Sequence, residues 1–357
     1  MSGTAALEPV LEHVRANAGR YLGLDGEPAR VEISVDPAGS RPRARLHRLE
    51  LRAGGRRLRL VAKETSLPEA PEAGGGGDRP RLTVVGDTHE RHRYEYLGLR
   101  AAEEHFTALR DPRFTVVRAI DHLPEQRVFL MEDVPHPTLR DLLAGPARLT
   151  PAGRRRIAAA VQNAGAWLRE FHGLAVGDDA SPPLRSSPAA VEEALRGHAA
   201  FVVAAAADRA VSAAIAAGAL TDPLPVGLWH ADFAPRNVFV TPQGAVAGFD
   251  MAARRRVPVY EDIAVFLVNL RGGRARKLAG LAPRPPRGRG AAGRRFLAGY
   301  FGGGPVPERA LAIFSLLAAL DEWGRLEVEA SGLGRAAALR ALRAEVAGLC
   351  AALERGA

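Results

Sequence analysis

Hydrophobic residues recur along the chain with two spacings, one typical of helices and one typical of strands. Residues 7–14 place leucine and valine on one helical face, so an amphipathic helix is predicted there. Residues 31–35, 44–51 and 58–63 read as strands, and turn-forming residues separate them. Together these patterns predict a small antiparallel sheet with one helix before it.

Further elements follow the same two patterns. Thr150 followed by Pro151 is typical of a helix start, because threonine can cap the first turn and proline tolerates its first position. The part of the chain after residue 134 reads as mostly helical. The predicted strands are 114–120 and 128–131, and the predicted helices are 88–106, 138–143, 151–172, 189–217, 307–323 and 335–354.

Two segments between the predicted strands and helices lack this periodicity. Residues 36–42 are rich in turn-forming residues and are predicted to form a loop. Residues 68–80 contain a repeated Pro-Glu-Ala and a run of four glycines. This low-complexity composition predicts a flexible insertion between a strand and the next helix.

A hairpin pattern near residue 240 brings polar side chains together. Residues 238–241 and 245–249 predict two strands around the turn Pro242-Gln243-Gly244. Because a hairpin returns to its starting end, Asn237 and Asp250 are expected to lie roughly opposite each other.

A second carboxylate precedes this hairpin. Asp232 lies five residues before Asn237, in a loop that Pro235 keeps from becoming helix. Carboxylate and carboxamide oxygens suit Mg²⁺ held alongside phosphate groups. A carboxylate that is not on the metal can accept a proton from an attacking hydroxyl group.

Composition indicates a globular protein of two domains or lobes. The chain has 357 residues, of which 47% are hydrophobic and 25% are charged. Cys350 is the single cysteine, so no internal disulfide is possible, and we expect a reducing, cytoplasmic location. Residues 1–24 lack the apolar core of a signal peptide, and no apolar run is long enough to predict a membrane span.

The net charge of +9 is a weak guide to function. Arginine supplies nearly all of it, because Lys63 and Lys277 are the two lysines among 49 basic residues. This skew indicates a biased composition, which makes each lysine more informative than each arginine. A basic nucleic-acid-binding protein would fit the charge, but the chain has no recognised binding motif and only 6% aromatic residues. No nucleic-acid partner is therefore expected.

The segment His-Ala-Asp-Phe-Ala-Pro-Arg-Asn at 230–237, with a Phe-Asp pair ending thirteen residues after the asparagine, resembles a known family. It is similar to the catalytic and metal-binding segments of aminoglycoside/choline kinase-type phosphotransferases, whose fold is similar to that of protein kinases. The resemblance covers about residues 31–262. It implies an α+β, two-lobed fold, with a small antiparallel-sheet lobe at 1–133 and a larger, mostly helical lobe at 134–357.

The resemblance implies Mg²⁺-dependent transfer of the γ-phosphoryl group of ATP to a hydroxyl of a small-molecule acceptor. Asp232 would act as the base, and Asn237 and Asp250 would hold the metal. His230 would brace the loop. Arg236 would either stabilise charge on the phosphoryl group or pack the loop, and both alternatives stay open.

The resemblance also assigns roles in the first lobe. Lys63, at the end of a Val-Ala-Lys strand, would hold the α- and β-phosphates of ATP. Glu95 is the best match for its helical partner, although Glu90, Glu103 and Glu104 compete. Ser40 and its neighbouring glycine would offer main-chain N–H groups to the phosphates, but an ordinary hairpin loop explains them equally well.

Residues 131–134 resemble the hinge of this family, where main-chain groups meet the adenine, so Glu132 and Val134 are expected to neighbour it. Asp262 matches a structural aspartate at the start of a buried helix. His172, at the end of a predicted helix, is expected to be structural.

The acceptor and some alternative functions stay open. A protein kinase is disfavoured because Met251-Ala252 follows Asp250. A catalytically silent ATP-binding scaffold is possible. Residues 271–300 carry nine basic residues and no acidic one. If this segment lines the acceptor pocket, a neutral or anionic sugar-like or other polyol acceptor is favoured over a polycationic aminoglycoside; if it is a solvated loop, that inference fails. The oligomeric state is also open.

Overall fold

The computed structural model describes most of the chain, and the described residues form two compact units. The first unit contains the described residues of 1–75, 85–107 and 116–135, and the second contains those of 108–115 and 136–357. The predicted insertion at 68–80 lies outside the described residues. The described ranges are 7–26, 28, 30–41, 44–65, 91–176, 182–201, 205–251, 255–278, 290–329 and 333–355.

The first unit is built on a five-stranded antiparallel sheet in the order β1-β2-β3-β5-β4. Two short helices precede the sheet, and a long helix follows its third strand. The strands are β1 (Glu32–Arg41), β2 (Ala44–Ala53), β3 (Arg56–Thr65), β4 (Ala119–Leu123) and β5 (Val128–Glu132), and the helices are α1 (Glu8–Ala16), α2 (Ala18–Leu22) and α3 (Arg91–Leu109).

One face of this sheet forms a hydrophobic core with α1 and α2. Leu60 and Ala62 of β3 are fully buried in that core. Because side chains alternate along a strand, Val61 and Lys63 point to the other face. The alternation therefore places the lysine on the side of the sheet that α3 covers, where it meets Glu95.

The prediction of a loop at 36–42 is wrong for residues 36–41, which continue β1. Main-chain pairing with β2 runs from Asp36, opposite Arg48, to Arg41, opposite Ala44. A register shift after Pro37 accommodates the proline. The long partner strand offers hydrogen-bonding groups over this whole length, and that pairing outweighs the turn propensity of the side chains.

The strand predicted at 114–120 is displaced toward the C-terminus, because β4 begins at Ala119. Phe114 instead forms an isolated parallel bridge with Val246 in the second unit. There, the Thr115 N–H donates to the carbonyl oxygen of Val246 at 2.9 Å. The two ends of the predicted strand therefore pair with different partners: Phe114 with Val246, and residues from Ala119 onward with β5.

The second unit is mostly helical, with two short two-stranded sheets, β6–β9 and β7–β8. The strands are β6 (Val226–Leu228), β7 (Val238–Val240), β8 (Val246–Gly248) and β9 (Arg256–Pro258). The helices are α4 (Leu139–Ala144), α5 (Pro151–His172), α6 (Pro188–Phe201), α7 (Ala205–Ala216), α8 (Tyr260–Leu278), α9 (Gly290–Phe301), α10 (Glu308–Glu329) and α11 (Leu333–Glu354).

Most of these helices match the sequence prediction, and the helix caps explain two of their starts. Thr150 accepts a hydrogen bond from the Gly153 N–H at 3.0 Å, and Thr138 forms a capping box with Asp141. The single helix predicted at 189–217 occurs as two, α6 and α7. The pair β6–β9 was not predicted, because three-residue strands carry too little periodicity to recognise.

Two glycines let α5 and α9 pack with their backbones in contact. A Cβ atom on Gly165 would lie 2.0 Å from the carbonyl oxygen of Phe296, and one on Gly299 would lie 1.9 Å from that of Gln162. Neither distance is possible for a real side chain. This close approach brings Phe296 of α9 into a stack with Phe266 of α8, with ring centroids 4.0 Å apart.

Among the described residues, no helix has both the length and the apolarity that crossing a membrane requires.

We expect Gly165→Ala to lower the free energy of unfolding by about 3 kcal/mol, because the added methyl group must push α9 away from α5. Gly348→Ala is the matched control, since Gly348 lies in α11 with no atom near its missing Cβ. The control should leave stability unchanged or raise it by up to about 1 kcal/mol. Thermal unfolding of both variants measures the difference, and equal melting temperatures would contradict the packing described.

Candidate active site

The hairpin β7–β8 forms as the sequence predicts. Val238 pairs with Gly248 and Val240 pairs with Val246. The Phe249 N–H donates to the carbonyl oxygen of Asn237 at 3.1 Å, which extends the pairing by one step. Asn237 and Asp250 therefore lie at the same end of the hairpin.

The loop before the hairpin is fixed by a buried carboxylate from α8. Asp262 accepts the main-chain N–H of His230 at 2.7 Å and that of Ala231 at 2.9 Å, one on each oxygen. Ala231 has a φ of 70°, in the left-handed region, which turns two successive N–H groups toward one anion. The strained residue and the carboxylate together set the path of the chain into Asp232.

Asp262 is itself held from α5. His172 Nε2 lies 3.3 Å from the Asp262 carboxylate, and His172 Nδ1 lies 2.8 Å from the Tyr300 hydroxyl. Because a carboxylate only accepts, His172 donates from Nε2 and accepts from the tyrosine at Nδ1. All three side chains are buried, so a chain of hydrogen bonds links α8, α5 and α9 behind the loop.

The side chain of Asp232 is held at both oxygens. Arg236 donates from Nη2 to Oδ1, and Asn237 donates from Nδ2 to Oδ2 at 2.8 Å. Burial raises the pKa of the Asp232 carboxyl, Arg236 opposes that shift, and the neighbouring Asp250 adds to it. A fixed carboxylate with a raised pKa is suited to accept a proton.

The side-chain amide of Asn237 donates hydrogen bonds through its nitrogen, whereas its oxygen accepts none from the described residues. Its Nδ2 donates to the main-chain oxygen of Asp232 at 2.9 Å as well as to the carboxylate. These two bonds use both amide hydrogens and fix the orientation of the group. Its Oδ1 is buried and has no hydrogen-bond partner among the described residues. A buried carbonyl oxygen without a donor is a suitable ligand for a hard cation.

Asp250 completes the oxygen-bearing end of the hairpin. It is half-buried, and its φ of 65° is one that asparagine and aspartate tolerate better than most residues. No cluster of three or more His, Cys, Asp or Glu side chains suited to a metal occurs in the described part of the chain. Two protein ligands, one amide and one carboxylate, suit Mg²⁺ that takes its other ligands from water and phosphate.

Arg236 bridges the loop and α8. Its Nη1 donates to Asn269 Oδ1 at 3.0 Å, while its Nη2 donates to Asp232. Asn269 donates in turn to the Val265 carbonyl oxygen at 2.9 Å. Asn269 is an additional residue that the sequence did not suggest, because a single asparagine within a helix gives no pattern to recognise.

His230 lies in the core rather than against the reacting groups. It is fully buried, and neither ring nitrogen has a hydrogen-bond partner among the described residues. Its ring centroid lies 5.4 Å from that of Phe171 and 5.1 Å from that of Phe233. Burial lowers its pKa to about 4, although two nearby carboxylates oppose the shift. It is therefore neutral near pH 7 and supports the loop by packing.

Lys63 in the first unit is buried and paired. Its Nζ lies 2.5 Å from Glu95 Oε2, and Arg91 donates to the other oxygen of Glu95 at 2.7 Å. Lys63 is 7% exposed and Glu95 is 2% exposed. Because loss of either partner would leave a charge buried, the pair fixes α3 against β3.

The other glutamates considered for this role lie elsewhere. Glu103 accepts the main-chain N–H of Ala119, and Glu104 binds Arg100. Glu90 is outside the described residues.

The remaining predicted residues of the first unit lie on strands or at their ends. Ser40 is in β1, paired with Arg45, so the expected phosphate-binding loop is strand at this position. Glu132 ends β5, and its N–H donates to the Arg118 carbonyl oxygen at 3.0 Å. Val134 follows and is half-buried.

The basic segment 271–300 is only partly described. Its first residues extend α8, and residues 279–289 lie outside the described ranges. Arg294 and Arg295 are exposed on α9.

A model of a phosphotransferase enzyme family matches residues 88–300, which is more than half of the chain. The matched part contains Asp232, Asn237, Asp250 and Asp262. Comparison with curated protein sequences gives no significant match.

Several solved structures resemble the whole chain. Macrolide 2'-phosphotransferase from Brachybacterium faecium is 17% identical, with a TM-score of 0.50, and the match covers 93% of this chain and 97% of that one. A choline kinase from Cryptosporidium parvum is 11% identical, with a TM-score of 0.53 and coverage of 98% and 97%. A glucosamine kinase is 16% identical, with a TM-score of 0.50 and coverage of 97% and 85%. At these identities the likeness shows the fold, and the predicted α+β class is confirmed.

We expect Asp262→Asn to weaken the main-chain hydrogen bonds that hold the loop before the hairpin. An asparagine has one acceptor oxygen, so the N–H groups of His230 and Ala231 cannot both keep their partners. Stability should fall by about 2 kcal/mol, the range for hydrogen bonds to a charged group. Hydrogen exchange of residues 229–234 should accelerate at least tenfold, while Asp222→Asn, an exposed control, should change neither quantity. Unchanged protection in Asp262→Asn would contradict the assigned role.

Proposed function

Because the chain belongs to the phosphotransferase enzyme family, we propose that it uses ATP and Mg²⁺ to phosphorylate a hydroxyl group of a small acceptor, sugar-like or another polyol. The family resemblance drawn from the sequence is confirmed, and so is the enzyme class, a phosphotransferase. The nucleotide, the metal and the acceptor are the proposed parts.

One observation carries the proposal. The amide of Asn237 holds the Asp232 carboxylate through Nδ2 and leaves its buried Oδ1 without a partner among the described residues. The same side chain thus orients a base and offers a cation ligand. Phosphoryl transfer to a hydroxyl requires an oriented base and a metal ligand close to each other.

Asp232 performs the proton step. Its carboxylate would accept the proton of the acceptor hydroxyl while that oxygen forms a bond to the γ-phosphorus, the bond from this phosphorus to the bridging oxygen breaks, and ADP leaves. The hydrogen bonds from Arg236 and Asn237 keep the carboxylate from rotating, and each oxygen retains a further lone pair for the acceptor. Correct orientation before reaction contributes to the rate because no side chain has to be ordered at that moment.

Arg236 has two contributions in this arrangement. It fixes the Asp232 carboxylate, and its guanidinium places positive charge at the end of the hairpin where phosphoryl charge would develop. Asn269 holds the other end of its planar fork, so the arginine orientation is set by two partners. Both alternatives that the sequence left open are therefore compatible with one position.

Lys63 and Glu95 would serve the nucleotide. A buried ammonium, fixed by a carboxylate, acts as a point charge for the α- and β-phosphates of ATP. Asn237 Oδ1 and the Asp250 carboxylate would hold Mg²⁺. Bound Mg²⁺ would neutralise charge on the phosphate oxygens. Glu132 and Val134 are proposed to neighbour the adenine, on the strength of the family resemblance.

Asp232→Asn should retain ATP affinity and lose about two to four orders of magnitude in kcat, the usual contribution of a general base. The reaction is followed as ADP release with Mg²⁺ over a panel of small hydroxylated compounds. Asp25→Asn, at an exposed site, is the matched control and should keep full activity. Wild-type turnover in Asp232→Asn would remove this residue from the mechanism. Intact ATP binding with no phosphorylated acceptor from the wild type would favour the silent scaffold.

Asp250→Asn should weaken ATP binding in the presence of Mg²⁺ and leave metal-free binding nearly unchanged. Asparagine is chosen because it tolerates the positive φ at this position, so the backbone keeps its path. Calorimetric titrations with Mg²⁺ and with EDTA give the four affinities needed. Identical behaviour of the variant and the wild type would show that this end of the hairpin binds no metal.

A further inference from the structure

The carboxylate of Glu95 in the first unit binds two cations. Its Oε2 lies 2.5 Å from Lys63 Nζ, and its Oε1 accepts a hydrogen bond from Arg91 Nε at 2.7 Å. Lys63 reaches it from β3, whereas Arg91 lies one helical turn earlier on α3. These three side chains form a triad in which two positive charges share one negative charge.

Burial makes this triad sensitive to its balance of charge. The side chains of Lys63 and Glu95 are almost fully buried, and the ring centroid of Phe129 lies 5.8 Å from the lysine nitrogen. Salt and water screen charges much less in such surroundings than at the surface. The side chain of Arg91 is partly exposed, so the triad extends from the interior of the first unit to its surface.

Arg91 determines whether the triad attracts an anion. Lys63 and Glu95 carry opposite charges in direct contact, so the pair by itself has no net charge. A phosphate group near this pair would be attracted by the ammonium and repelled by the adjacent carboxylate. Arg91 compensates the carboxylate from its other side. The triad therefore keeps one uncompensated positive charge for a phosphate.

Arg91 also restricts the orientation of the Glu95 carboxylate. Because each carboxylate oxygen has its own donor, the group cannot rotate without breaking a hydrogen bond. Lys63 in turn takes its direction from this carboxylate. An ammonium group held in this way meets a phosphate without first having to be ordered.

A second ion pair on α3 has the same local geometry in a different environment. Arg100 donates to Glu104 at 2.7 Å, with the same spacing of four residues and the same order of charges as Arg91 and Glu95. The side chain of Glu104 is 67% exposed, whereas that of Glu95 is 2% exposed and also binds Lys63. Exposed pairs of this kind contribute little. Any effect particular to Arg91 must therefore come from the buried carboxylate and the lysine.

We propose that Arg91 is a positioning residue for nucleotide binding, and that it acts through Glu95 on the charge and the direction of Lys63. The inference rests on the proposed function for the kind of ligand, a nucleoside di- or triphosphate. The role of Arg91 itself follows from its hydrogen bond to Glu95.

The test measures ADP binding to the full chain by calorimetry in EDTA, so that Mg²⁺ does not contribute. Arg91→Gln should weaken ADP binding about tenfold, because a positive charge is lost beside the phosphate site. Adenosine, which has no phosphate, should bind the variant and the wild type equally. Arg91→Lys keeps the charge and should restore ADP affinity to within about threefold of the wild type. Equal ADP affinities of Arg91→Gln and the wild type overturn the proposal, as does an equal loss for adenosine or no ADP binding by the wild type.

Two further variants test whether Arg91 acts through Glu95. Arg100→Gln removes the exposed pair on the same helix and should leave ADP affinity unchanged. In a Glu95→Gln background, Arg91→Gln should cost less than about threefold, because the carboxylate through which it acts is already absent. A loss of the same size in both backgrounds would mean that Arg91 acts on the nucleotide without Glu95, which overturns the positioning role.

Phosphoryl transfer is measured separately, as ATP-dependent formation of a phosphate ester from a panel of hydroxylated compounds. ADP binding that depends on Arg91 through Glu95, with no ester from any acceptor, supports the inference and refutes the proposed function. Ester formation by the wild type, with the same KM for ATP in Arg91→Gln, supports the proposed function and refutes the inference.

Discussion

The geometry of the candidate site depends on one buried carboxylate. Asp262 receives two main-chain N–H groups from the loop before the hairpin, and His172 holds it from the opposite side. Hydrogen bonds to a charged acceptor are stronger than neutral ones, and burial increases the cost of leaving any of them unmade. The left-handed conformation of Ala231 persists because these bonds compensate for its strain. Asp232 takes its position from that conformation.

Aromatic packing also holds the loop before the hairpin in place. Phe233 stacks on Trp167 of α5, with ring planes 3° apart, and on Phe266 of α8. A Cβ atom on Gly248 would lie 2.5 Å from the Trp167 ring, so glycine is required where the hairpin crosses it. The loop thus packs against side chains of α5 and α8, and Gly248 lets β8 pass close to the same tryptophan. Catalytic groups on a loop become rigid in this way, because the loop shares the core of the helices around it.

Local patterns in the sequence predicted the elements and the chemistry of the hairpin, but not the contacts that fix it. Alternation placed Lys63 on a strand, and turn residues placed Asn237 and Asp250 at one end of β7–β8. Asn269 carries no such signal, because its role depends on a partner 33 residues away. The loop predicted at 36–42 was wrong for residues 36–41 for the same reason, because pairing with β2 decides the structure there.

The fold of this chain does not identify the acceptor. Proteins named for a macrolide, choline and glucosamine share this fold at 11–17% identity to the chain. The proposed base and metal ligands lie on the hairpin and its loop, and α10 supplies none of them. Residues on α10 can change without moving Asp232, since Asp262 and Arg236 fix that residue from α8 and the loop. Acceptor choice can therefore vary within one reaction without a change in the proposed base or metal ligands.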